Sequence, residues 1–164
     1  MKKLHILLKT YVIFNNICRY RFYESFLITP YEMVSKVAIP TIRSMISKRL
    51  IDSYNLTQEE VAKKLDITQA AVSYYMMGKR ATMLKLDNTK AIRDSIDELA
   101  DLLFIGDISH KDFRERITDI CDNIRESKLL CKLHKRLEPG LDMANCHACD
   151  GPLKRRSESA SYIA

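Results

Sequence analysis

The sequence predicts an all-α fold: a helix-turn-helix bundle, two amphipathic helices after it, and a cysteine-rich tail. Three observations carry that expectation. The 164 residues include only 4 Gly, 4 Pro and no Trp among many Lys, Arg, Glu, Leu and Ile, a balance that favours helix over sheet. Apolar residues recur at i, i+3 and i+4 through residues 34–127, the period of a helix with one buried face. Thr57, Thr68 and Ser109 stand just before such stretches and Gly78 just after one, where helix caps belong.

Residues 1–29 lack a clean helical or strand period. They read in three ways: a basic arm touching DNA or membrane, an extra helix packed on the core, or an extension from a mis-assigned start. From Val34 the period is clear, through Val37, Ala38, Thr41, Ile42, Met45, Ile46, Arg49 and Leu50. Pro40 is expected to open a helix ending near Ser53, since proline suits a first turn and disrupts an interior. Thr57 and Glu60 form a capping box for a helix that buries Val61, Ala62 and Leu65. After a break at Asp66-Ile67, Thr68 caps a second helix running to about Met77, with Gly78 as its stop. A longer amphipathic helix is expected from Thr89 to about Ile105, with Ile92, Ile96, Leu99, Leu102 and Leu103 on one face. Ser109 caps another, Asp112 to about Ser127, with Phe113, Ile117, Ile120 and Ile124 on its stripe.

The division that follows is 1–29 as an atypical extension, 30–87 as the helix-turn-helix domain and 88–128 as a helical support and dimerisation region. Residues 129–153 form a cysteine-rich tail, and 154–164 are small, basic and polar, as disordered ends are.

Where small and apolar residues fall narrows the function of the two short helices. Ala62 is small where the second helix must cross the first, and Val61, Leu65, Ile67, Val72 and Tyr75 are spaced to close a core of three helices. Thr68, Gln69, Ala70, Ser73 and Tyr74 are left on the outer face at the start of the second helix, the face a recognition helix offers to the major groove. Gln69 can pair with adenine through two hydrogen bonds, Ser73 can bond several bases, and the Ala70 methyl can touch thymine. Gln58, at a helix N-terminus, and Lys79 and Arg80 are placed for phosphates. Charge agrees: the net charge is +6, with +3 over residues 41–80 and −3 over 81–120, so the basic half suits a phosphate backbone and the acidic half a structural or dimerisation role. Asp66 departs from the pattern by standing in the turn where glycine is usual. It tolerates a positive φ better than most residues do.

The stretch Pro30 to Arg80 resembles archaeal helix-turn-helix regulators related to the Cro/repressor class, and is especially similar to the DNA-binding domain fused to thiamine-phosphate synthase in some archaea. The residues that carry this are Ile39-Pro40-x-Ile42-Arg43, Leu56-Thr57-Gln58-Glu59-Glu60, Thr68-Gln69-Ala70-Ala71-Val72-Ser73 and Gly78-Lys79-Arg80. The resemblance implies a Cro/repressor-like bundle that binds double-stranded DNA, and it continues more loosely to about Cys149. It does not imply thiamine regulation, because no synthase domain follows.

The cysteines are Cys18, Cys121, Cys131, Cys146 and Cys149. An odd count without a convincing secretory signal suggests a cytoplasmic protein whose thiols are ligands or redox groups. No apolar run is long enough to span a membrane. Cys131-x2-His134 and Cys146-x2-Cys149, separated by eleven residues, have the spacing of a zinc site with three thiolates and one imidazole. With Cys121 in place of His134, four thiolates would suit an iron–sulfur cluster. The resembling regulators often carry a further Cys-x2-Cys pair where this chain has Cys121-Asp-Asn-Ile124, so Ile124 breaks that pattern. The alternatives are a redox disulfide, or a buried Cys121 with unmetallated thiols elsewhere.

Two functions follow. The first is a homodimeric, sequence-specific regulator, since such heads read two half-sites. The second is a non-catalytic adaptor or antitoxin-like module whose hairpin binds a protein. Enzymatic activity is not expected: there is no glycine-rich phosphate loop, nucleophile elbow or paired-carboxylate site.

Overall fold

Thr29 caps a short first helix that precedes the one expected at Pro40. Its hydroxyl accepts from the Glu32 backbone N–H and its own N–H donates to the Glu32 carboxylate, the reciprocal arrangement of a capping box. The computed structural model describes residues 28–86 and 89–150. Within them α1 spans Pro30–Met33, a π-helical turn spans Val34–Ala38, and α2 spans Ile39–Tyr54 without interruption. Pro40 lies in the first turn of α2, one residue from the expected start, but the chain enters that turn from a π turn and not from a loop. Its ring and missing N–H would break a regular helix interior, and the wide π turn just before it accommodates the mismatch. The Thr41 hydroxyl, in the first turn of α2, donates back to the Val37 carbonyl of the π turn at 2.8 Å.

The remaining elements follow the caps. α2 ends at Asn55 in the left-handed region (φ 53°), a conformation that asparagine tolerates. α3 (Gln58–Leu65) starts from the Thr57–Glu60 capping box and α4 (Gln69–Met76) from Thr68, whose hydroxyl accepts from the Ala71 N–H. α5 (Lys90–Ile105) stops at Gly106, with φ 81°. α6 (His110–Glu126) is capped by Ser109 and begins slightly earlier than its stripe suggested. A short α7 (Cys131–Leu137) lies in the tail. It was not anticipated, although Leu130, Leu133 and Leu137 already stand at helical spacing.

One hydrophobic cluster runs from α1 to α7. Ile42, Ile46 and Leu50 of α2, Val61 of α3, Val72 of α4, Ile96 and Leu99 of α5 and Ile124 of α6 are wholly excluded from solvent. Burying each such side chain contributes about 1.5–3 kcal/mol. α2 is the central helix: it packs broadly against α5 and also meets α3, α4 and α6. The helix-turn-helix and the two helices after it thus share a core.

Polar contacts fix the end of α5 against the head. The Arg49 guanidinium donates twice to the Asp101 carboxylate (3.2 and 3.3 Å), and the Tyr54 hydroxyl donates to the same carboxylate at 2.8 Å. The Tyr54 ring stacks on Phe104 with centroids 3.9 Å apart. Lys64 donates to the Leu103 carbonyl at 2.8 Å, a cation at the negative end of a helix. The expectations for Cys18 and most of residues 1–29, and for the polar end from Lys154, lie outside the described residues.

Candidate nucleic-acid interface

The turn between α3 and α4 places the recognition face. Asp66 adopts φ 51° and ψ 50°, the left-handed conformation that the sequence position demanded. The Ile67 N–H bonds the Ala62 carbonyl at 3.0 Å and turns the chain into α4. Val61, Ala62, Leu65, Val72 and Tyr75 are buried and Ile67 is half-buried. That burial leaves Thr68, Gln69, Ala70 and Tyr74 exposed and Ser73 half-exposed along one face of α4. The structure brings together the residues that the sequence selected for base contact.

Gln69 and Gln58 are joined directly: the Gln69 amide N–H donates to the Gln58 amide oxygen at 2.7 Å. An amide has two N–H donors and one carbonyl acceptor. Gln69 therefore keeps its oxygen and a second N–H, the pair an adenine edge requires. Gln58 keeps its N–H groups at the N-terminus of α3, where they can meet a phosphate oxygen.

Lys79 is exposed just beyond Gly78, which takes φ 63°. Arg80 is half-buried, and its guanidinium carbon lies 5.8 Å from the centre of the Tyr75 ring. The buried Arg80 Nε has no hydrogen-bond partner. Stacking of this kind orients the planar cation, so the Arg80 side chain is held more firmly than that of Lys79.

Two features escaped the sequence reading. Met77 is 53 % exposed and Tyr74 is 48 % exposed, so the basic face includes an apolar edge. The anchor of Arg49, Tyr54 and Lys64 on α5 was also missed. One signal was present, since Arg49 falls on the apolar stripe of α2 and a cation there needs a partner.

The tail folds back on α6. Arg125 is buried; it donates to the Cys149 carbonyl at 3.0 Å and pairs with Asp122 and Glu126 at 3.1 and 3.4 Å. Buried Asp150 pairs with Lys128 at 3.4 Å and with His147 Nδ1 at 2.9 Å. These contacts hold the end of the tail near α7, where Cys131, Cys146 and Cys149 are neighbours. Burial pushes the Cys149 thiol up to about 11, the neighbouring thiols adding to the effect, and burial also raises Cys131.

The other candidate ligands lie elsewhere. Cys121 faces the core of α6, and burial, with Asp122 contributing, pushes its thiol up to about 11. His134 is buried with Nε2 at 3.3 Å from Glu138 Oε2, yet makes no hydrogen bond there. Glu138 instead accepts from the Ile28 N–H at 3.2 Å. Three of the expected donors are therefore neighbours, while His134 and Cys121 point to other partners. Among the described residues no group of three or more His, Cys, Asp or Glu side chains is arranged to hold a metal ion.

A family model described as helix-turn-helix matches residues 46–86, the second half of α2, all of α3 and α4, and the segment after them. No curated protein and no solved structure matches the chain. Among the described residues no helix is long and apolar enough to cross a membrane. The family match and the exposed face of α4 agree: among the described residues the regular elements are all helical and include a helix-turn-helix, which supports a DNA-binding regulator.

Proposed function

We propose that the protein is a sequence-specific transcriptional regulator that reads the major groove of double-stranded DNA with α4. The observation that carries this reading is the Gln69–Gln58 hydrogen bond at the head of an exposed α4 face. It fixes one base-reading amide and one phosphate-reading amide in mutual register. Thr68, Ala70, Ser73 and Tyr74 complete the base-facing set, and Lys79 and Arg80 grip the backbone. The active form is a homodimer, because heads of this size gain affinity by reading two half-sites, and the acidic region 88–127 supplies the contact. The thiol-bearing tail is the signal input, through its redox state or through zinc or an iron–sulfur cluster taken by Cys131, Cys146 and Cys149 with His134 or Cys121.

Selection of a preferred duplex, followed by binding measurements on Gln69→Ala and Arg80→Ala variants, tests the reading. Loss of sequence preference in the first and a general loss of affinity in the second are expected. Absence of affinity for any duplex at moderate salt would sink it. A second reading, an adaptor or antitoxin-like module, draws on the exposure of Tyr74 and Met77. Side chains of that type anchor protein interfaces. Stable binding of a protein partner through α4, without DNA affinity, would select this second reading.

A further inference from the structure

We propose that Ala70, Tyr74 and Met77 form an apolar stripe along α4 that selects duplexes carrying thymine methyl groups over about three adjacent base pairs. The inference rests on the reading of α4 as the DNA-reading helix and names the bases that this helix prefers. Residues 70, 74 and 77 stand at i, i+4 and i+7, so they share one face of the helix. That face lies opposite Val72 and Tyr75, which are buried against the rest of the bundle. Ala70 is exposed, Tyr74 is 48 % exposed and Met77 is 53 % exposed. A helix that only packs on a core carries charged and polar residues on its outer side. No residue of α4 is charged, and apolar side chains stand on both its inner and its outer side. The outer stripe therefore gains from being covered.

Charge and spacing choose the occupant. Residues 67–86 contain Lys79, Arg80 and Lys85 and no carboxylate, a surrounding that attracts a polyanion. An apolar side chain lowered into the major groove finds one apolar group on the base edges, the C5 methyl of thymine. The stretch from Ala70 to Met77 advances about 10 Å along the helix. Base pairs repeat at about 3.4 Å, so the stripe spans about three steps. Gln69 and half-exposed Ser73 flank it on one side, where their polar groups remain free for the neighbouring bases. The unbranched, polarizable side chain of Met77 adapts to a methyl group without demanding one rotamer. Met77 stands just before Gly78 and Lys79, where α4 gives way to the cations that meet the backbone.

The test uses the full chain under reducing conditions and a preferred duplex selected from a random pool. Each thymine of the selected site is replaced singly by deoxyuridine, which keeps the base pair and removes only the methyl. Wild type is expected to lose affinity about fourfold per methyl at up to about three adjacent steps, the worth of one buried methyl group. Met77→Ala is expected to bind thymine and deoxyuridine equally at one end step and to keep the penalty at the others. Tyr74→Ala is expected to lose the penalty at the step beside it, and Tyr74→Phe to behave as wild type. Thermal melting reports whether each variant folds, and Met77→Gln, of similar length, replaces Met77→Ala if that variant melts early. A selected site without thymine, or one bound equally after every replacement, would overturn the stripe and leave the reading of α4 intact. A penalty unchanged in both Met77→Ala and Tyr74→Ala would also overturn it, by assigning the methyl contacts to other residues. Absence of affinity for any duplex would overturn both and return the stripe to a protein partner.

Discussion

The amide of Gln69 donates to the amide oxygen of Gln58 at 2.7 Å, across eleven residues and from the first turn of one helix to the first turn of another. Under the proposed reading of DNA, the bond gives the two residues unequal parts. Gln69→Ala removes a base contact, and a good bidentate pair is worth about 1–3 kcal/mol of discrimination. Titration of matched and singly substituted duplexes should show that preference collapsing at one base pair. Gln58→Ala should weaken all duplexes by similar amounts, with a loss of discrimination smaller than that of Gln69→Ala.

Salt dependence separates phosphate-binding side chains from base-reading ones. Removing a single phosphate-binding cation should lower the slope of log affinity against log salt by about 1. Lys79→Ala and Arg80→Ala should each do so, and Ser73→Ala should not. Arg80→Lys should fall short of full rescue, because the planar guanidinium over Tyr75 is replaced by a compact ammonium.

Leu99 is wholly buried where α5 meets α2. Leu99→Ala should cost about 2–5 kcal/mol, read as a shift of the urea midpoint. Because one core serves the head and the helices after it, DNA affinity and helicity should be lost in a single transition. Two separate transitions would show that the head folds alone.

Asp66 is held at φ 51°, where a β-branched side chain is strained. Asp66→Val should destabilise the fold by about 1–2 kcal/mol. Asp66→Gly should stay within about 1 kcal/mol of wild type, since relief of strain is offset by the greater freedom of glycine when unfolded. Thermal melting of the two variants checks the ordering.

Two buried thiols, Cys121 and Cys149, are pushed up to about 11, above the value of about 8.5 expected in an unfolded chain. Their folded-state pKa is raised, so the stability they confer as neutral groups is full below about pH 8.5. It is lost as pH rises toward about 11, because the unfolded chain releases these protons first. Melting temperature under reducing conditions should fall across that window, and less steeply in Cys121→Ser. An identical slope in that variant would show that its thiol ionises in the folded chain as it does in the unfolded one.

The parts legible in the sequence are those with local causes. Thr57 with Glu60, Thr68 and Ser109 each act within a few residues of their own position, and Gly78 and Gly106 supply the positive φ that ends a helix. The outer face of α4 was equally legible, because burying Val72 and Tyr75 leaves only one side for Gln69, Ala70 and Tyr74. Met77 was not legible as an exposed residue, since helix ends lose their period.

The sequence by itself determined an all-helical chain with a helix-turn-helix, because caps, periodicity and turn residues are short-range physics. Only the tertiary structure decided that a π turn over Val34–Ala38 joins α1 to α2 just before Pro40. It also decided that Arg49 finds Asp101, 52 residues away. The tail depended on it most: His134 lies beside Glu138, Cys121 packs into the core, and Cys131, Cys146 and Cys149 are neighbours. Ligand spacing constrains which residues can converge, but burial of Arg125 and Asp150 against α6 sets which ones do, and that packing joins segments whose proximity no local pattern encodes.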